Sequence, residues 1–256
     1  MSAIQVIDRL VLLLDAVAAA GGVASLKVLA AETRLPTSTA FRILAAAAEH
    51  GLVQRDASGA YRLGSHILGL AGRVREHLDV RAEARPVMEW LRDQLGETVN
   101  LTVREGTEVV YVERATPQRT LRVEQVVGSR APLHTTAVGK LMLGVDGREA
   151  LGLYARATGL PQFTPKTRSN LTDLWRDIEG SLARGYALDD EEAELGVGCI
   201  GALVRDHTGT PVAGLSVSAP IERRDDRWVP LVIEAARRLS ARLGYAGHGP
   251  ETSSAR

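Results

Sequence analysis

The sequence lacks the features of several specialised classes of protein. One cysteine, Cys199, is present among 256 residues, which excludes an internal disulfide framework and any cysteine-rich zinc site. The longest apolar run near the start, residues 10–14, is far too short to span a bilayer, and no signal or transit peptide is recognisable. We therefore expect a soluble, cytoplasmic protein with no membrane partner.

An excess of one charge and the common catalytic motifs are also missing. The 31 basic and 31 acidic residues cancel, so the chain has no global attraction for nucleic acid, although a local basic patch survives such cancellation. The six histidines show no paired metal spacing, and the glycine patterns of phosphate-binding and dinucleotide-binding loops are absent. We expect no catalytic residue, no metal and no cofactor. With 45% apolar and 24% charged residues, the composition is that of a globular chain.

Helical periodicity dominates the N-terminal part of the chain. Apolar residues at helical spacing predict a helix that ends at residues 21–22, where two glycines suit a C-terminal cap. Ser25 is placed to cap a short second helix, and Pro36 suits the first position of a third, because proline has no N–H to leave unpaired there. Strand-like residues then flank a turn at 56–59. A pair of helices joined by a tight turn and followed by a two-stranded wing is typical of a winged helix-turn-helix domain, which we place at residues 1–63.

The exposed start of the third helix is small, hydroxylated and basic. In a helix-turn-helix this helix enters the major groove, where hydroxyls bind phosphate or base edges and arginine pairs with guanine. Two wing arginines are placed for backbone phosphates. The predicted DNA-binding residues are Thr37, Ser38, Thr39, Arg42, Arg55 and Arg62. The alternative is a plain three-helix subdomain with a polar outer face, since residues 1–63 carry only six basic and five acidic side chains.

A second domain follows a connecting helix. Residues 64–80 predict a helix with one apolar side that joins the domains, although a core helix of the second domain fits the same pattern; Pro86 then opens another helix. Beyond it the apolar period changes to that of strands. Strands are predicted at 98–103, 108–114, 121–127, 199–205 and 211–217, with helices through 171–182 and 231–243. This order predicts an α+β domain with an antiparallel sheet flanked by helices.

The loop at residues 128–140, GSRAPLHTTAVGK, links the third of these strands to a helix. Free backbone N–H groups at a helix start favour a small anion or polar ligand, so the loop is a candidate binding pocket. An ordinary strand-to-helix connection is the alternative. His134 and Lys140 are the first candidate ligands there, and Arg122 is a speculative partner for an acidic ligand because of its charge and its position before the loop.

Four blocks of sequence together resemble the IclR family of bacterial transcriptional regulators. The first is LAAETRLPTSTAFRILAAAAEHGLVQRDASGAYRLG in the N-terminal third; the others are GSRAPLHTTAVGK, RGYALDDEEAELGVGCIGALV and GLSVSAP. The resemblance implies a winged helix-turn-helix, a linker helix at 64–80 that contributes to dimerisation, and a GAF-like effector-binding and oligomerisation domain at 81–246, followed by a mobile tail at 247–256. It also implies that the protein binds double-stranded DNA at a palindromic operator and a small organic effector, and that it forms a homodimer or a dimer of dimers.

The resemblance places the effector pocket on particular residues of this chain. These are Thr136, Ala137, Asp189, Val197, Cys199, Ser216 and Ser218. The pattern itself agrees in part, because Ser216 and Ser218 alternate with a valine and project from the same face of a strand. Other interpretations stay open: the serines satisfy sheet hydrogen bonds, Asp189 caps a turn, and Cys199 is a small buried side chain.

An alternative function is a metabolite-binding or thiol-dependent enzymatic domain with a helical adaptor and no specific DNA binding. Cys199, His134 and Asp189 supply the residue types for thiol chemistry, yet no catalytic signature surrounds the cysteine. We therefore favour a regulator over an enzyme.

Overall fold

The computed structural model describes residues 3–247, except for the side chains of residues 3, 4 and 75–77. The described chain divides after Leu78 into two compact units, which we treat separately. Of the tail predicted at 247–256, all but Gly247 lies outside the described residues. Within residues 3–247, no helix is long and apolar enough to cross a membrane.

Among the described residues, the first unit contains four helices and a small sheet. Its elements are α1 (Ala3–Ala19), β1 (Val23–Ala24), α2 (Leu26–Glu32), α3 (Thr37–Glu49), β2 (Val53–Arg55), β3 (Tyr61–Leu63) and α4 (Ser65–His77). The sheet is antiparallel with the order β1-β3-β2, so β1, which we did not predict, adds a third strand to the wing. Leu13, Val17, Leu29, Leu44 and Tyr61 are fully or almost fully buried and form its core.

The structure agrees with one of the three helix starts that were predicted from local sequence. Ser25 caps α2 as predicted, since its side chain accepts a hydrogen bond from the Val28 N–H. Pro36 precedes α3 as its N-cap residue instead of occupying the first helical position. The prediction that Pro86 opens a helix is wrong. Helix α5 (Val80–Leu95) begins six residues earlier because the Asp79 side chain accepts from the Arg81 N–H, and Pro86 lies inside the helix.

The second unit is built on a six-stranded antiparallel sheet. Besides α5 it contains β4 (Thr98–Glu105), β5 (Glu108–Ala115), β6 (Arg130–Pro132), α6 (Ala137–Val145), α7 (Gly147–Thr158), α8 (Leu171–Arg184), β7 (Ala187–Asp190), β8 (Val197–Arg205), β9 (Pro211–Pro220) and α9 (Val229–Arg242). The strand order is β6-β5-β4-β9-β8-β7. Helices pack on the sheet, which confirms the α+β class. We did not predict α7 and β7.

The two faces of this sheet differ in chemistry. Val99, Leu101 and Val217 are among the buried residues of one face, against which α5 and α9 pack. The alternate residues form a polar face that is covered by α6. Val138 of α6 lies so close to Gly214 that a Cβ at that glycine would be 2.5 Å from the Val138 Cβ. A side chain at Gly214 would therefore push the helix off the sheet.

The prediction of a strand at 121–127 is wrong. These residues form an irregular segment, and the third strand of this region is β6, which pairs with Glu108, Val109 and Val110 of β5. The segment lies over the polar face of the sheet, because the Thr98 hydroxyl donates to the Val123 carbonyl at 2.6 Å. We call residues 121–127 the covering segment.

Candidate DNA-binding and effector-binding sites

In the first unit, α2 and α3 are joined by a tight turn at residues 33–36. Arg34 in this turn has a positive φ of 54°. Ala40, Leu44 and Ala47 of α3 are buried against the core, so the opposite side of the helix faces outward. Ser38 and Arg42 are both exposed and are four residues apart, which places them on the same outward side.

Arg42 is available for a ligand. Within residues 3–247 it forms no ion pair or hydrogen bond, and it is exposed. Its neighbour Thr39 is half-buried and lines, with Arg42, a small groove of about 200 Å³ beside Val6 of α1. Thr37 is exposed at the first turn of α3. A guanidinium without a partner among the described residues, on the exposed side of α3, is chemically suited to a base edge or a phosphate.

Phe41 is a candidate contact that the sequence reading missed. It lies beside Arg42 in α3 and is 43% exposed, so it is accessible on the same part of the helix. In a major groove an apolar side chain contacts the methyl group of thymine. The signal was present in the sequence, since Phe41 falls outside the buried stripe of Ala40, Leu44 and Ala47.

The wing places its two arginines on opposite faces. Arg62 is directly opposite Gln54 and donates to its side chain at 3.1 Å. Arg55 is opposite Tyr61, and its guanidinium lies 5.7 Å from the centre of that ring. Both arginines are exposed, but they do not form one basic surface. The turn between them is fixed by Asp56, whose pKa is lowered chiefly by the hydrogen bond from the Ser58 hydroxyl.

In the second unit, the loop at 128–140 does lead into a helix start. Thr136 is the N-cap of α6, and its hydroxyl accepts from the Gly139 N–H at 3.2 Å. This use of the side chain leaves the first-turn N–H groups of Ala137 and Val138 without a partner inside the helix. They lie over Gly201 of β8, where an added Cβ would be 3.2 Å from the Val138 nitrogen. The helix start is thus aimed at the polar face of the sheet.

Four predicted effector residues meet on that face. The sheet register places Asp189, Cys199 and Ser218 directly opposite one another on β7, β8 and β9. Ser216 is two residues before Ser218, opposite Gly201. The sulfur of Cys199 is 3.2 Å from the Ser218 hydroxyl. Three successive antiparallel strands therefore bring a carboxyl, a thiol and two hydroxyls together.

Asp189 combines a structural role with an unusual acidity. It is 2% exposed, and its Oδ1 accepts from the backbone N–H groups of Glu192 and Ala193. Burial raises its pKa to about 7, against the effect of these hydrogen bonds. Near neutral pH this side chain therefore exists in both neutral and charged forms.

Cys199 is poorly suited to nucleophilic chemistry. Burial raises the pKa of its thiol, and the nearby Asp189 raises it further. The thiol is protonated at neutral pH, whereas a cysteine nucleophile needs its thiolate. Val197, the last predicted pocket residue, is half-buried at the start of β8 and packs against Ala137, Leu141 and Cys199.

Three other candidate ligands have structural partners instead. Lys140 is fully buried, and its Nζ lies 2.5 Å from Glu192 and 2.6 Å from Asp177. Arg122 does not lie on a strand; its guanidinium pairs with Glu124 of the same covering segment. Lys140 is therefore not free to hold an acidic ligand, and its assignment as a ligand is wrong. Arg122, whose partner is an exposed carboxylate, stays a speculative candidate.

His134 is likewise occupied by the fold. It is fully buried, with Nδ1 2.8 Å from the Tyr154 hydroxyl and Nε2 3.1 Å from the Pro161 carbonyl. Burial lowers its pKa, which keeps the ring neutral at physiological pH. The structural interpretation of His134 is therefore the better one.

Comparison with known proteins gives both units a family. Residues 6–57 match the IclR helix-turn-helix domain, and residues 72–243 match the bacterial transcriptional regulator IclR C-terminal domain. The chain is 33% identical over 249 residues to the HTH-type transcriptional repressor AllR of Escherichia coli (strain K12), covering 95% of this chain and 92% of AllR. It is 32% identical over 217 residues to the regulator KipR of Bacillus subtilis (strain 168), covering 83% and 87%.

Solved structures of known regulators also resemble this chain. The repressor BlcR of Agobacterium tumefaciens matches with a TM-score of 0.78 at 30% identity, covering 96% of this chain and all of that one. An IclR homolog from Microbacterium hydrocarbonoxydans, complexed with 4-hydroxybenzoate, matches with a TM-score of 0.61 at 26% identity, covering 93% and 98%. Both domain families describe transcriptional regulators and neither describes an enzyme. The chain therefore belongs to the IclR family of DNA-binding bacterial transcriptional regulators.

Proposed function

We propose that this regulator binds a palindromic operator, and that a small organic acid bound in the second unit controls its affinity for DNA. The observation that carries the proposal is the buried group of Asp189, Cys199, Ser216 and Ser218 beneath the start of α6. Buried polar groups that converge on one face are typical of a ligand site. The N–H groups at the helix start favour a carboxylate, and the hydroxyls and Asp189 would bind its other polar atoms.

The relatives support an organic acid as the effector and repression as the mode of regulation. The Microbacterium homolog was crystallised with 4-hydroxybenzoate, a small organic acid. AllR and BlcR are both named as repressors, which favours repression here. Such a regulator would act in the cytoplasm, where its operator is. The ligand acts only if it binds the DNA-competent and DNA-incompetent arrangements with different affinities.

We also propose that the protein is a homodimer or a dimer of dimers. Two copies present two recognition helices to the two halves of a palindrome. Residues 64–80 would serve as the linker and dimerisation helix, between a DNA-binding domain at 1–63 and an effector-binding and oligomerisation domain at 81–246. Leu68 and Val74 of α4 are 75% and 62% exposed, and apolar side chains so placed are suited to a helix of a second copy.

The proposal is tested with DNA from upstream of the protein's own gene. Fluorescence anisotropy on the folded full chain should show tighter binding to this DNA than to random DNA of the same length. A small acid that raises the thermal midpoint should then change the DNA affinity, with an effect that saturates with ligand concentration. Absence of sequence-preferring binding at low salt, in protein shown to be folded, would falsify the operator-binding proposal and favour a metabolite-binding domain without specific DNA binding.

A further inference from the structure

Asn100 lies at the centre of the polar face but is not among the predicted effector residues. It is in the middle of β4, directly opposite Ser216 of β9, and it is fully buried. Its Nδ2 donates to the Ser218 hydroxyl at 3.1 Å and to the Gln125 side-chain oxygen of the covering segment at 3.1 Å. Asn100 thus contacts one proposed effector residue and is the cross-strand neighbour of another.

The amide of Asn100 is only partly satisfied. Among the residues that the structure describes, its Oδ1 has no hydrogen-bond partner. Turning the amide over would only transfer the deficit to the nitrogen. A buried amide oxygen without a partner is destabilising and is rare in native proteins, so it calls for a physical reason.

The polar side chains on either side of Asn100 in β4 do not share this deficit, although two charged side chains elsewhere in the second unit also have one buried, unpartnered atom each among the described residues. Thr98 and Thr102 lie on the same strand and face, and both are buried. The Thr98 hydroxyl donates to the Val123 carbonyl, and the Thr102 hydroxyl donates to the Gly214 carbonyl. The fold therefore satisfies the polar side chains on either side of Asn100 and leaves this one oxygen open.

We propose that Asn100 is a further effector-binding residue, and that its open carbonyl oxygen accepts a hydrogen bond from a hydroxyl or N–H group of the effector. This inference rests on the proposed function, because it places the effector acid on the same face. The effector is then a small carboxylic acid that also carries a hydrogen-bond donor. An acid without a donor would fill the site but leave the Asn100 oxygen unpaired.

The spacing of the strands is compatible with a ligand of this kind. Gly201, Ser216 and Asn100 are consecutive partners across β8, β9 and β4. With neighbouring strands about 4.8 Å apart, the start of α6 above Gly201 and the Asn100 backbone are separated by roughly 10 Å along the sheet. A molecule of a few carbon atoms, with a hydrogen bond at each end, bridges such a distance.

The first experiment compares acids that differ only in the donor. The probes are lactate and propionate, glycolate and acetate, and 4-hydroxybenzoate and benzoate, measured by thermal shift and calorimetry on the full-length wild type. In at least one pair the hydroxylated acid should bind about 10- to 100-fold more tightly, because only this member satisfies the buried oxygen. This comparison needs no variant, so it can refute the proposal even if substitutions at Asn100 disturb folding.

The second experiment assigns the preference to Asn100. Asn100→Leu removes the amide at similar volume and should bring the two members of the responsive pair within about threefold of each other. Thr102→Val is the matched control, since it removes a buried hydroxyl from the same strand and face that already has a partner; the preference should remain. A preference that survives Asn100→Leu in folded protein overturns the proposal.

Two further outcomes separate this inference from the function on which it rests. If the two members of every pair that binds bind wild type equally, and Ser216→Ala with Ser218→Ala abolishes their binding, the effector pocket is supported and the role of Asn100 is refuted. If no probe binds at millimolar concentration, the organic-acid effector class is refuted, and the inference about Asn100 is refuted with it.

Discussion

Replacement of Lys140 by methionine should destabilise the second unit strongly. The ammonium group is fully buried between Glu192, which is 1% exposed, and Asp177, which is 15% exposed. Methionine fills similar space but leaves two carboxylates without their shared cation. Removing one partner of a buried ion pair costs about 3–5 kcal/mol. We expect the lower end, because Arg168 lies 3.4 Å from Asp177 and 3.9 Å from Glu192 and retains part of the attraction.

The loss of stability caused by Lys140→Met should be smaller in acid, because of the pKa values of the two carboxylates, Glu192 and Asp177. Burial raises the pKa of Glu192 although Lys140 opposes this, so removal of Lys140 raises it further. A group whose pKa is higher in the folded state than in the unfolded state stabilises the fold at pH values below the unfolded pKa. This stabilisation is lost as the pH rises through the folded pKa, so the variant regains stability in acid. The pKa of Asp177 is held down by Lys140 against its burial, so the wild type loses stability as the pH falls below about 4. Both effects narrow the difference between the two proteins.

Urea unfolding followed by tryptophan fluorescence measures this difference selectively. All three tryptophans, Trp90, Trp175 and Trp228, lie in the second unit, so the signal reports on that unit. Lys166→Met is the matched control, because Lys166 is an exposed lysine whose pairs with Asp190 and Glu191 are at the surface; it should change little. If Lys140→Met loses no more stability than Lys166→Met at pH 7, the buried ion pair does not have the structural role that we assign to it.

Further predictions concern both proposed sites. Arg42→Ala should weaken specific DNA binding by about 1–3 kcal/mol if Arg42 reads a base, and equal losses on operator and random DNA in anisotropy would assign it to phosphate. Ser216→Ala with Ser218→Ala should reduce the affinity for a stabilising acid without unfolding the protein; unchanged calorimetric binding would remove both serines from the site. The Asp189 pKa of about 7, against 3.8 for a free side chain, means that its contribution to stability is present below about pH 4 and lost as the pH rises through 7. Asp189→Asn, which keeps the Oδ1 acceptor, should therefore stabilise the unit above pH 7 by at most about 4 kcal/mol and flatten the pH dependence of acid binding; an unchanged urea midpoint at pH 8 would contradict the raised pKa.

The elements predicted correctly are those whose causes are local. The Ser25 cap depends on residues within one helical turn. The alternation that placed Ser216 and Ser218 on one face is a property of a single strand. The covering segment was misread for the same reason: LRVEQVV alternates like a strand, but Leu121 and Val126 are 70% and 67% exposed. Alternation alone does not show whether a sheet edge is available to pair with.

Features that depend on distant residues could not be predicted. Lys140 finds its carboxylates 37 and 52 positions further along the chain, and nothing near it in sequence indicates that it is buried. Asn100 meets Ser218 across 118 positions. Strand β7 was not predicted because its last two residues, Asp189 and Asp190, belong to an acidic run that resembles a turn. Its pairing with β8 overrides that local preference.

These contacts give the two sides of the proposed pocket different mechanical properties. On one side, Lys140 joins α6 to α8 and to the turn after β7, and Asp189 fixes that same turn through the Glu192 N–H. A ligand that binds the helix start and Asp189 therefore meets elements that are already held together by a buried ion pair. On the other side, the covering segment is attached through side-chain hydrogen bonds from Thr98, Asn100, Arg114 and Arg223, and much of it is exposed. Because the helix side is costly to deform, adjustment to the size and donors of the effector must fall mainly on the covering segment.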